Sequence, residues 1–265
     1  MTVQIRNAEL VDLLRPDFIH RNEPNVAWSH AVSMHRALPG LRGFWPMSGF
    51  DGSGMATDMG SLGHHLAYNG NPYYGYSNLV PYVHFDGVGD YLEHLDHADF
   101  DITGTESFVP AAQQGLSVGG WFYFDGLGNL EAMMSKYGLA IADESWRLTK
   151  VPTDVARFVV SDGAATTVVT STTTLSAATW YFMAGVFSNS ANTISVWLDN
   201  VYWSAAFNNT INNSTVAFRI GMQADGNNPF VGRASLCWVC ATALSDAIVK
   251  MIYHWTRSMF GKVSA

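Results

Sequence analysis

A chain of 265 residues that is 48% apolar and only 14% charged has ample material for a large buried core. Its formal net charge of −8, with Lys and Arg scattered singly, leaves no basic field to gather phosphates, so nucleic acid is not an expected partner. No window approaches the run of about 18 apolar residues that a membrane-spanning helix needs, and Met1 to Leu10 lacks the basic-then-apolar pattern of a secretory leader, so no export signal is expected.

Residues 1–40 read as a helical arm, distinct from a domain over 41–265. A short helix is expected over 7–14, ended by Pro16, and a second over 24–38, with proline at its start and Pro39-Gly40 stopping it. Val26, Ala27, Ala31, Met34 and Leu38 would form an apolar stripe with Trp28 nearby. Such an arm either caps the domain's own sheet or docks on a neighbouring subunit.

From Leu41 the period changes to strands. The first covers 41–46, a Gly/Asp/Ser-rich loop follows over 49–63, and 72–77 is a connection rich in tyrosine, with Tyr73, Tyr74 and Tyr76. Strands over 80–85 and 91–95 flank Asp86-Gly87 as a hairpin. Further strands are expected over 116–124, 132–136, 145–148, 156–161, 166–170, 180–187, 193–198, 201–206, 216–221 and 230–241. About a dozen short strands with polar turns describe an all-β fold of two packed antiparallel sheets. A closing helix over 245–259, capped by Ser245 and stopped near Gly261, presents Ile248, Met251, Ile252, Trp255 and Met259 to it.

Chemistry-bearing patterns are sparse. Cys237 and Cys240 lie in an apolar strand whose residues alternate between faces, and no further ligand pair matches their spacing, so two buried thiols are expected. The run Glu93-His94-Leu95-Asp96-His97-Ala98-Asp99-Phe100-Asp101 holds groups able to bind a metal, but a strand running into a loop would not make them converge. A solvated loop is the expectation there. Asp143 and Glu144 are adjacent and would point apart, and Asp51, Asp58 and Asp125 sit in turns that favour aspartate. Nucleophile elbow, phosphate-binding glycine loop and His-Glu-x-x-His helix are missing from the sequence, so catalysis is not expected. Tyr73, Tyr74, Tyr76 and Trp203 are candidates for stacking on sugar rings, and Trp28 for an interface; core packing or an oligomer contact is the alternative for each.

Several segments resemble one known family. Leu41-Arg42-Gly43-Phe44-Trp45-Pro46-Met47, then Gly52-Ser53-Gly54, Asp58 and Gly63-His64-His65-Leu66, resemble the opening strand and following loop of the laminin G-like, or concanavalin A-like, jelly-roll domains. Phe85-Asp86-Gly87 with Tyr91-Leu92 is similar to their hairpin, and Ser117-Val118-Gly119-Gly120-Trp121-Phe122 to the next strand. Trp180 to Phe187, Ile194 to Asn200, Phe218 to Gly221 and Phe230 to Arg233 continue the likeness in order, to residue 246.

The resemblance implies a two-sheet antiparallel jelly-roll sandwich. Many relatives carry an acidic residue after the position of Gly232, near a calcium site; here Arg233 and Ala234 stand there, so no cofactor is expected, with Asp58, Asp86 and Asp90 left as carboxylates that calcium could still gather. The family's glucanase branch carries an E-x-D-x-x-E run that this chain lacks. Lectins, adhesion modules, enzymes and structural proteins all share the fold. The preferred expectation is a non-enzymatic structural or adhesion subunit of an assembled particle, the virion of a bacterial virus, with copies of itself or other virion proteins as partners. A secreted module binding a surface glycan and a glycan-cleaving enzyme with unusual acids are the alternatives.

Overall fold

A computed structural model describes residues 24–48, 54–77 and 80–262. The helix expected over 7–14 and Asp51 lie outside the described residues.

The chain opens with helix α1 (Pro24–Arg36) and strand β1 (Leu41–Trp45). There follow β2 (Met55–Ala56), β3 (Leu66–Asn69), β4 (Tyr73–Ser77), β5 (Val80–Asp86) and β6 (Tyr91–His94). The long middle strands are β7 (Gly115–Phe124), β8 (Glu131–Tyr137), β9 (Glu144–Lys150), β10 (Val155–Ser161), β11 (Thr166–Thr174) and β12 (Thr179–Ser188). Strands β13 (Thr193–Leu198), β14 (Val201–Ala206), β15 (Phe218–Ile220) and β16 (Val231–Cys240) complete the sandwich, and α2 (Asp246–Thr256) runs into a 3₁₀ turn, Arg257–Phe260.

Two antiparallel sheets result. The first has the order β14-β13-β12-β7-β16-β5-β4, with β1 also paired to β16; the second has the order β11-β10-β9-β8-β15-β6-β3-β2. Strand alternation sends one set of side chains between the sheets, where Trp45, Phe85, Phe122, Phe124, Trp146, Phe158 and Phe218 are fully buried. Each such side chain contributes on the order of 2–3 kcal/mol through burial.

The opposite face of the first sheet is apolar as well, and α1 and α2 roof much of it. Trp121 stacks on Phe260 at 4.2 Å and donates its indole N–H to Thr256 Oγ1 at 2.8 Å. His35 of α1 stacks on Phe44 at 4.7 Å, and Ala31 and Leu38 are buried in the same cluster, so this part of the arm caps its own sheet. Burial pushes the His35 imidazole down to about 4, which keeps it neutral under the helix. The outer face of the second sheet carries no such roof among the described residues.

Three expectations need correction. Residues 73–77 are an edge strand rather than a connection, paired to β5 with Tyr73 opposite His84. A strand not foreseen, β3, bridges β2 and β6; it is too short to show a two-residue period by itself. Ser245 does precede α2, but its carbonyl accepts from Ile248 and Val249 while its hydroxyl makes no capping bond.

Cys237 and Cys240 are free and fully buried, the first between the sheets and the second under the helices. A bulge between Ser235 and Trp238, with Leu236 at φ 48°, shifts the register at Cys237, and Cys240 lies beyond it opposite Ser117.

Candidate functional site

The aromatic candidates do not form one surface. Tyr73 is 52% exposed on the outer face of the first sheet and stacks on His84 at 4.6 Å. Because a strand alternates its side chains, Tyr74 and Tyr76 point the other way, their hydroxyls 3.2 Å apart. Trp203 is half-buried against the core and donates its indole N–H to Thr172 Oγ1 at 3.1 Å, tying β14 to β11 across the sandwich edge. Trp28 packs against the cluster beneath the helices. Of these candidates, Tyr73 and Tyr76 offer well-exposed rings.

The unroofed outer face of the second sheet is polar. A cross-strand row runs Glu93–Arg219–Ser135–Arg147–Val159 through β6, β15, β8, β9 and β10. Arg219 donates to Glu93 Oε2 at 2.7 Å and lies 4.0 Å above the Tyr91 ring. Arg147 lies 4.1 Å above Tyr137, and Arg157 reaches Thr149 Oγ1 at 3.3 Å. Neither Arg147 nor Arg157 has a carboxylate within 4.0 Å among the described residues, whereas Arg219 has one. Burial, then the charge of Arg147, pulls Arg157 down to about 10. Two arginines on neighbouring strands, with no carboxylate within 4.0 Å among the described residues, make this face attractive to an anion.

Beside Arg147, where β8 ends and β9 begins, lies a pocket of about 290 Å³, walled by Tyr137, Glu144 and Arg147 on the sheet and by Gln223, Asp225, Asn227 and Asn228 on the loop between β15 and β16. That loop is pinned in place: Arg219 donates to the Gln223 carbonyl at 2.8 Å, Ser135 to that of Met222 at 3.0 Å, and Ala224 N–H to that of Tyr137 at 3.1 Å. Gln223 is 2% exposed and accepts from the Asn228 amide through Oε1, but its Nε2 has no protein partner. Arg147 Nε and Glu144 Oε2 are likewise unpartnered. Residues carrying an amide, a guanidinium and a carboxylate thus line one pocket, and these are groups of the kind that hydroxyl-rich ligands hydrogen-bond. Sequence reasoning missed it because its two walls lie far apart in the chain.

Residues 95–97 form an exposed loop as expected, but His94, His97 and Asp99 do converge, on His64, which corrects the expectation that the groups of 93–101 stay apart. A 3₁₀ turn at Ala98–Phe100 drives Phe100 into the core at 1% exposure, and buried Lys136 holds Asp96 and Asp101. Asp99 is thereby brought to His64, from the loop before β3, with Oδ2 2.9 Å from His64 Nε2. His94 Nε2 lies 3.3 Å from His64 Nδ1, and His97 Nδ1 is 3.4 Å from Asp99 Oδ2. Arg42 of β1 holds the other Asp99 oxygen at 3.1 Å. Burial, opposed by its hydrogen bond to the Leu95 carbonyl, lowers the His94 pKa. Gly63-His64-His65 was the one available signal for the missing member, and nothing local tied it to residue 99.

Of the remaining turn carboxylates, Asp125 lies 2.7 Å from His84 Nε2, and Asp58 and Asp90 serve the backbone. Asp58 accepts from the N–H groups of Phe44, Gly60 and His64, and Asp90 from those of Asn71 and Asp86. Asp86 and Asp90 share the β5–β6 turn, while Asp58 lies in the loop between β2 and β3.

A likeness to solved structures extends over most of the chain. The binding domain of Paraclostridial Mosquitocidal Protein 1 is similar at 10% identity with a TM-score of 0.62, covering 81% of this chain and 52% of that one. The receptor binding domain of botulinum neurotoxin C/D mosaic serotype matches at 9% identity and 0.60, covering 81% and 51%. This chain therefore spans about half the length of those toxin domains. Domain 4 of AbnA, an extracellular arabinanase of Geobacillus stearothermophilus solved in complex with arabinotriose, matches at 14% identity and 0.59, covering 80% and 98%. At such identities the likeness is one of fold. No curated protein sequence matches significantly. The family model of the concanavalin A-like lectin/glucanases superfamily, however, matches residues 92–250, more than half of the chain, and with the two-sheet sandwich in view the chain belongs to that superfamily.

Proposed function

We propose that this chain is a non-enzymatic adhesion module that recognises a glycan in the pocket between Tyr137, Arg147 and Gln223. The observation that carries this reading is the buried Gln223 amide, whose Nε2 has no partner among the described residues, beside Arg147, which has no carboxylate within 4.0 Å among them. A sugar supplies hydroxyls for Gln223 and Glu144, while the Tyr137 ring is covered by Arg147 and holds the guanidinium in place. A sugar carboxylate supplies the missing partner for Arg147, so acidic saccharides are preferred. Glycan cleavage needs two free carboxylates across the bond; Asp225 instead spends its two oxygens on the backbone and side-chain amides of Asn227. The similar structures support the reading in that they include toxin binding domains and an arabinanase domain solved with an oligosaccharide.

The test is calorimetry of the full chain against sialylated, uronate-containing and neutral oligosaccharides, with the sugars recovered and sized afterwards. Binding that prefers the acidic set, falls at least tenfold in Arg147→Ala and Gln223→Ala, and leaves the sugars intact is expected. Affinity unchanged in both variants, or no affinity for any saccharide, would sink the site; shortened sugars would sink the non-enzymatic part.

A further inference from the structure

We propose that His64, His97 and Asp99 bind a divalent transition-metal ion of the zinc class, at the junction of β1, the loop before β3 and the segment after β6. One donor atom from each of the three lies within 4.8 Å of the others. Two of the separations are 2.9 Å, from His64 Nε2 to Asp99 Oδ2, and 3.4 Å, from that oxygen to His97 Nδ1. An ion held at about 2.0–2.1 Å from nitrogen and oxygen donors sets tetrahedral donor pairs roughly 3.3 Å apart. Shifts of a few tenths of an ångström on the His64 side, and a modest rotation of His97, meet that requirement. His97 Nδ1 now accepts the Asp99 N–H at 3.1 Å, and the 47% exposed side chain exchanges that bond for the ion as it turns.

A hydrogen-bond conflict is the second observation, independent of the first. The Leu95 carbonyl only accepts, so His94 Nδ1, 2.7 Å away, donates to it. Neutral His94 therefore turns a lone pair at Nε2 toward His64, whose Nδ1 must carry the hydrogen. The Nε2 of a neutral His64 is then a lone pair, and it faces a carboxylate oxygen at 2.9 Å. Two acceptors at that distance are bridged either by a proton, which makes His64 the cation of an ion pair with Asp99, or by a metal ion. A metal ion ligated by both satisfies the arrangement, and the tautomer it requires is already set by His94 as a positioning residue.

The donor set also fixes the class of ion. Arg42 occupies Asp99 Oδ1 at 3.1 Å and is itself stacked over Phe108 at 4.1 Å, which leaves the carboxylate one oxygen to give. Two imidazoles and a single carboxylate oxygen suit zinc, cobalt, nickel or copper, whereas calcium and magnesium require oxygen shells. Bound there, the ion clips the loop before β3 to the segment after β6, and its remaining position faces solvent beside exposed His97.

The experiment is a titration of the untagged full chain with Zn²⁺ against a chromophoric chelator, repeated with Co²⁺ for its visible absorption and with Ca²⁺. One equivalent of zinc at sub-micromolar affinity is expected, with tetrahedral cobalt bands and no response to calcium. His97→Ala and Asp99→Asn should weaken zinc at least tenfold, while His30→Ala on exposed α1 leaves it unchanged. Circular dichroism checks the fold of each variant, and His97→Gln replaces His97→Ala should the latter unfold. A folded chain that does not take up zinc shows that a proton, not a metal, sits between His64 and Asp99 and overturns the proposal. Uptake undiminished in both site variants overturns it equally.

Discussion

Glu131 stands directly opposite Lys150 in the register of β8 and β9, its Oε1 3.5 Å from Lys150 Nζ and both side chains buried. Lys150 also donates to the Asn129 carbonyl at 2.8 Å and to Asp154 at 3.3 Å, so its charge is shared among three oxygens. Burial outweighs the pull of Lys150 and raises Glu131 from its ordinary value of 4.5 to about 7. The folded chain therefore holds a proton that the unfolded chain gives up. The associated stability is full below about 4.5 and is lost as pH rises through about 7. Glu131→Gln, which keeps the neutral shape, should melt within a degree or so of the parent near pH 5 and above it by roughly 3–6 °C near pH 8. Thermal melts of both chains at the two pH values check this; parallel curves would refute the assignment.

Gly185 on β12 lets Phe158 of β10 pack against bare backbone across the sandwich. A Cβ at Gly185 would lie 2.3 Å from Phe158 Cδ2 and 2.5 Å from Cε2. Gly185→Ala should cost about 1–3 kcal/mol through overpacking. Adding Phe158→Leu should recover part of the loss, since the two changes share one contact. Denaturant unfolding of the single and double variants reads the coupling directly, and simple additivity would show that the sheets adjust elsewhere.

Lys136, fully buried, neutralises Asp96 and Asp101 and donates to the Val216 carbonyl at 2.9 Å. Lys136→Met leaves two carboxylates beside one another without their cation. The cost should fall toward the low end of about 3–5 kcal/mol, because the aspartates retain some contact with water. Amide hydrogen exchange should accelerate over 95–101 before it does so in β8; uniform exchange across the domain would contradict a local anchoring role.

Burial pushes both cysteine thiols up, and thiolate is the reactive form. In the native chain Cys237 and Cys240 should therefore resist a thiol reagent for hours, and both should react within minutes in denaturant. Reducing agent should leave the melting temperature unchanged. Rapid labelling of either residue under native conditions would mean that β16 opens locally.

The sequence by itself determined the sandwich and most of its strands, because β-branched and aromatic runs broken by Gly, Asp and Asn turns are local signals. Val80–Asp86 and Tyr91–His94 around Asp86-Gly87 lie close to where the residues put them, as do Thr193–Leu198 and Val201–Ala206. The burial of Cys237 and Cys240 was legible for the same reason. Tertiary structure alone decided the edge: pairing with β5 made 73–77 a strand, and its two-residue alternation separated Tyr73 from Tyr74 and Tyr76. It alone also decided the sites. His64 meets Asp99 because a 3₁₀ turn buries Phe100 and because Lys136 draws in both ends of that segment. Arg147 meets the Gln223 loop because Arg219 and Ser135, on neighbouring strands, hold that loop's carbonyls against the sheet. Periodicity reports which face a residue takes, but the strand order and register that bring distant faces together depend on long-range hydrogen bonds that no local pattern encodes.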